Sequence, residues 1–180
     1  MLRQSPYRLG GGRPRKDAMD EDQEVVAYHE SGHAFMAVLV GARVRRITIE
    51  PEDDDGPRRF GDAQIEWRLS QFTAKQRQEK FVLVALAGPV AEMLYNGEPF
   101  HPGHVAEWAD DWRVAWEAAT PLFRDEKKRL RFLEDATRQL YQLLDAENHW
   151  AALAAIADNL LAHETLNGEQ VEEIVAGWIG

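Results

Sequence analysis

The chain has 180 residues, 44% of them hydrophobic, so it is expected to bury one core and to leave no room for an ATPase module beside it. A formal charge of -10 argues against nucleic acid or an anionic membrane surface as the main partner. Cysteine is absent, which rules out a disulfide framework, leaves any metal to histidine and carboxylate ligands, and fits a cytoplasmic location.

Residues 1–20 read as a flexible N-terminal arm, because three consecutive glycines among scattered arginines provide no apolar centre for a signal peptide. Residues 21–180 then form the single domain. A first helix is expected over 23–40, with Asp20 capping it, Gln23 three residues on, an apolar stripe through Val25, Val26, Phe35, Val38 and Leu39, and Gly41 as the stop. The β-branched run over 44–50 predicts a strand that ends at Pro51. The charged segment 51–62 is a loop, and Asp53, Asp54 and Asp55 within it lack the ligand spacing of a calcium loop and read as a solvated turn. Ala63, Ile65, Trp67 and Leu69 alternate with polar neighbours as a second strand, so a small antiparallel sheet is expected.

Thr73 and Gln76 form a capping box that opens a helix over 74–96, and Gly88-Pro89 in its middle calls for a kink or a close helix contact. The apolar run 81–95 is too short, and too interrupted by Gly88, Pro89 and Glu92, for a bilayer span, so no transmembrane segment is expected. After a break at 99–103, helices are expected over 105–120, 124–148, 150–163 and 169–176. Trp108, Trp112 and Trp116 recur at helical spacing, which fits core packing better than a partner surface. The fold class is α+β and predominantly helical: a zincin-like HExxH helix and a small antiparallel sheet, followed by a helical bundle.

His29-Glu30-Ser31-Gly32-His33 carries the chemistry. On a helix, residues i and i+4 share one face, so both imidazoles reach a single ion, while Glu30 sits about 100° further round, beside the metal. A carboxylate there can take a proton from a zinc-bound water. Catalytic zinc sites normally use three protein ligands. The candidates for the third are Glu92, His101, His104, Glu107, Asp110, Asp111, His149 and His163, and composition does not choose among them.

The segment YHESGHA at 28–34 resembles the AYHEAGHA segment of the FtsH-type zinc peptidases, the proteolytic half of membrane-bound AAA proteases. ITIEP at 47–51, LAGPVAEML at 86–94, DWRVA at 111–115 and LLAHETLNGE at 160–169 resemble further segments of that family, in family order, over roughly residues 24–176. The resemblance implies a Zn2+-dependent metalloendopeptidase, with His29, His33 and Asp111 as ligands and Glu30 as the catalytic base. Before the third ligand this chain reads VAEWADD at 105–111, without the family's glycine and with two adjacent aspartates, so Asp110 competes with Asp111. Glu92 is expected to hydrogen-bond a zinc histidine, with direct ligation as its alternative.

Substrates implied are unfolded or flexible protein segments, lying extended along an edge strand at 46–50 or 62–68. The family's ATPase ring brings two further partners into view, a homo-oligomer and an ATPase on a separate chain. The altered segment before Asp111 motivates a second reading, a peptidase-like binding or regulatory module that keeps its metal but has little or no turnover. A zinc hydrolase acting on a non-peptide amide is a third, since the chemistry is shared.

Overall fold

The computed structural model of the chain describes residues 16–50 and 61–180, with side chains from residue 21 onward. The expectations for residues 1–15 and for Asp53, Asp54 and Asp55 lie outside the described residues. Among the described residues six α-helices and three short strands follow one another, and the fold is α+β with helix dominant.

Helix α1 spans Lys16–Leu39 and so begins earlier than its apolar stripe suggests. Asp20 and Gln23 lie inside it and do not mark its start; its first residues fall in the segment expected as an arm. Its end is where glycine puts it. Gly41 takes φ +82°, the Ala42 amide donates to the Ala37 carbonyl at 2.9 Å and the Gly41 amide to Val38 at 3.1 Å, which satisfies the carbonyls that the last turn leaves open. Helix α2 (Ala74–Asn96) opens on the Thr73–Gln76 capping box and closes in the same way on Gly97, at φ 72°. Pro89 sits within α2, which continues through it.

Helices α1 and α2 pack closely because the residues between them are small. A Cβ on Gly32 would overlap the Ala87 carbonyl and come within 2.7 Å of the Ala91 Cβ. Phe35 and Leu86 are fully buried beside this contact, each contributing about 1.5–3 kcal/mol relative to exposure. The two helices that carry HESGH and Glu92 are thereby held backbone to backbone.

Strand β1 (Arg43–Thr48) lies at the centre of a three-stranded antiparallel sheet, between β2 (Asp62–Glu66) and β3 (Thr165–Asn167). Val44 and Ile47 point into the core. β3 has no readable alternation; pairing with β1 and the Asn167–Gln170 capping box of the helix behind it produce it. This corrects one expectation. Arg46, Ile47 and Thr48 are paired on both flanks, so β1 has no free edge there for a substrate, and of the two expected strands only β2 lies at an edge of the sheet.

The expected helix at 105–120 divides into a single 3₁₀ turn, Ala106–Trp108, and α3 (Ala109–Ala119), and another such turn, Pro102–His104, precedes it. Helices α4 (Glu126–Leu144), α5 (Glu147–His163) and α6 (Gly168–Ile179) complete the bundle. The tryptophan stripe packs inward. Trp108 is buried, Trp112 leans on His101 with ring centroids 5.1 Å apart, and Trp116 lies under the Arg129 guanidinium at 4.8 Å.

Candidate metal centre

Three side chains from two helices converge on one point. His29 and His33 lie one turn apart on α1, with Nε2 atoms 3.1 Å from each other. Asp111, in the first turn of α3, brings one carboxylate oxygen to 3.0 Å from His29 Nε2 and the other to 3.3 Å from His33 Nε2. Among the described residues these three are the only group of three or more whose donor atoms converge in this way, all within 4.8 Å of one another.

Both rings are oriented through their other nitrogen. His29 Nδ1 donates to Glu92 Oε2 at 3.0 Å, and His33 Nδ1 donates to the Val84 carbonyl at 2.7 Å. A carbonyl and an ionised carboxylate only accept, so each Nδ1 carries the proton and each neutral ring presents a lone pair at Nε2. Two nitrogen lone pairs and a carboxylate then face one another in a largely buried space. Only a cation reconciles them, either an added proton or a metal ion. The donor set, two imidazoles and one carboxylate with a hydrogen-bonded shell behind them, fits zinc.

Electrostatics follow the geometry. Burial works against a charged His29, but hydrogen bonds to the Asp111 and Glu92 carboxylates outweigh it and push the imidazolium up to about 10. For His33 burial again opposes charge, and the negative Asp111 raises it. Burial resists ionisation of Asp111 as well, yet the facing imidazoles hold its carboxyl well below the usual carboxylate range. Glu30 goes the other way: burial pushes it up, Asp111 and Asp62 add to this, and the two histidines oppose it.

Two glycines make the space. A Cβ on Gly88 would overlap Nε2 and Cε1 of His33, so the imidazole occupies room that a side chain on α2 would fill. A Cβ on Gly61, at the entry to β2, would come within 2.6 Å of the Glu30 Cγ and closer still to its Oε1. Glu30 is only 6% exposed and lies between α1 and the start of the edge strand.

The structure separates the two aspartates. Asp110 projects into solvent, 96% exposed, beside Arg113, whereas Asp111 faces the histidines. Glu92 lies behind His29 and accepts a second bond from the Trp108 indole at 2.7 Å. The other candidates stand apart from this point. His104, Glu107 and His163 are exposed, His101 pairs with Glu134 at 3.2 Å, and His149 Nδ1 reaches the Leu143 carbonyl at 2.7 Å. Sequence reasoning missed the Val84 carbonyl, Trp108 and Gly61. The small residues of LAGPVA were the one available signal, since glycine inside a helix costs about 1 kcal/mol against alanine and marks a close approach.

No protein-family model matches the chain. It is similar to the ATP-dependent zinc metalloprotease FtsH of Opitutus terrae, 27% identical over 94% of this chain and 31% of that protein. The FtsH of Chloroflexus aggregans is also 27% identical, over 93% of this chain and 31% of its own length. A chloroplastic FTSH of Capsicum annuum is 35% identical over 51% of this chain and 14% of its own length. The chain spans about a third of the length of the first of these relatives. No helix among the described residues is long and apolar enough to cross a membrane. Over nearly all its length, then, the chain resembles proteins named as FtsH zinc metalloproteases, and its likeness is to that family's peptidase domain.

Proposed function

We propose that residues 21–180 form a zincin-like, zinc-dependent metalloendopeptidase domain acting on unfolded or flexible protein segments. His29, His33 and Asp111 hold the ion, and Glu30 is the general base. The observation that carries this reading is the facing of two imidazole lone pairs and one carboxylate, with both Nδ1 protons already engaged. Zinc bound there would supply Lewis acidity toward a peptide carbonyl and lower the pKa of a water to about 7.

The chain's own residues do the rest. Glu92 and the Val84 carbonyl hold the imidazoles in the tautomer that ligates. Glu30, buried and raised in pKa, accepts a proton from the attacking water and returns it to the departing amine nitrogen. The outer edge of β2 begins next to Glu30 and offers main-chain groups to an extended peptide, so specificity is broad. Pairing along that edge takes a chain that is already extended. We therefore read the ATP dependence in the relatives' names as an ATPase partner that supplies unfolded segments, with a homo-oligomer as the assembly in which it does so.

Zinc content and casein hydrolysis of the wild type and Glu30→Gln, with a chelator control, test this. Equal zinc with hydrolysis lost in the variant is the expected result. Full turnover by Glu30→Gln would sink the assigned base, and a wild type that holds zinc without turnover would show a binding module.

A further inference from the structure

The segment leading into Asp111 reads VAEWADD at 105–111, and it holds Trp108. The residue is 3% exposed and sits in the 3₁₀ turn Ala106–Trp108, immediately before α3. Its indole Nε1 donates to Glu92 Oε2 at 2.7 Å, the same oxygen that accepts from His29 Nδ1 at 3.0 Å. Glu92 is itself 5% exposed. Three side chains, Trp108 and Glu92 buried and His29 partly so, are thus joined in series, from the start of α3 through α2 to α1.

We infer that Trp108 is a positioning residue for the metal centre, acting through Glu92 on His29; the inference rests on the metallopeptidase reading above. A second buried donor on the oxygen that accepts from His29 helps to hold that oxygen in place. The Glu92 oxygen then stays in line with His29 Nδ1, and Nε2 stays aimed at the ion. The same indole fixes the turn from which α3 starts. One helix position is about 100°, so the turn decides whether Asp111 or Asp110 meets the histidines. Trp108 therefore couples two sides of the site, the orientation of one imidazole and the register of the carboxylate opposite.

The test is zinc affinity by competition with a chelating dye, on the full chain, for wild type, Trp108→Phe, Glu92→Ala and the double variant. Phenylalanine keeps the ring in place and removes only the N–H. The expected result is about a tenfold loss of affinity in Trp108→Phe, at the low end for partners behind a ligand, and no further loss when it is added to Glu92→Ala. Unchanged affinity in Trp108→Phe overturns the inference, as does an equal loss in both backgrounds, which would mean general loosening of the fold. A wild type that binds no zinc overturns the metallopeptidase reading and this inference together. Should Trp108→Phe fail to fold, hydrogen exchange of the Trp108 indole N–H decides: protection in the wild type that Glu92→Ala removes supports the chain, and free exchange in the wild type overturns it.

Discussion

Gly88→Ala tests the geometry of the site by a change that helix propensity alone would call stabilising. An interior glycine replaced by alanine gains about 1 kcal/mol. Pro89 follows, and a Cβ before proline disfavours helical backbone, so the gain at this position is smaller. Against it stands the overlap of the new methyl group with Nε2 and Cε1 of His33. Overpacking of this kind costs about 1–3 kcal/mol. The ring can escape only by giving up its 2.7 Å bond to the Val84 carbonyl, a further net loss of about 1 kcal/mol. The metal-free variant is therefore expected to be less stable by about 1–3 kcal/mol, and to bind zinc at least about tenfold more weakly because His33 no longer points at Asp111. Denaturant unfolding and a zinc competition titration measure the two effects. In a His33→Ala background the space is vacant, and the same substitution should be nearly neutral, which isolates the clash from any backbone effect. A Gly88→Ala variant that melts higher than the wild type and keeps its zinc affinity would refute the reasoning.

Other expectations follow from the same geometry. Asp111→Asn should weaken zinc binding by at least about tenfold, while Asp110→Asn, at a position 96% exposed, should leave it unchanged; the reverse ranking would exchange their roles. pH should act in opposite directions on the metal-free and zinc-bound forms. His29 is raised from 6.5 to about 10, so its contribution to folding is fully present below pH 6.5 and lost as pH rises through 10; His33 moves in the same direction. Glu30 is also raised, which costs stability once the pH exceeds its ordinary 4.5, whereas the depressed Asp111 stabilises above 3.8 and loses that contribution as pH falls further. Melting of the metal-free protein should thus fall between pH 6.5 and 9. Zinc must displace protons from the imidazoles, so its affinity should tighten over that same range, and a flat profile would contradict the assignment.

Local chemistry was legible in the residues themselves. The spacing of His29 and His33 sets them one turn apart on whatever helix contains them, Thr73 with Gln76 starts α2, and Gly41 ends α1, because caps and i, i+4 relations depend only on neighbours in the chain. Element ends were less secure where the signal was composite, as at Asp20, since a helix can run past a good capping residue when nothing ahead of it stops the backbone. Strand β3 and the double pairing of β1 were not legible, because a partner more than a hundred residues away leaves no periodicity at either strand.

The centre divides along the same line. Sequence by itself determined that two imidazoles and a carboxylate, Glu30, would sit together on α1. Only the tertiary structure decided which aspartate joins them, because Asp110 and Asp111 differ by one helix position and the turn containing Trp108 sets their direction. It also decided which groups hold the imidazoles, since the Val84 carbonyl and Glu92 reach them only through the close packing of α2 on α1 that Gly32, Ala87 and Gly88 permit. A motif states what one helix presents; the candidate metal centre arises where side chains of α1 and α3, backed by α2, come within a few ångströms of one another.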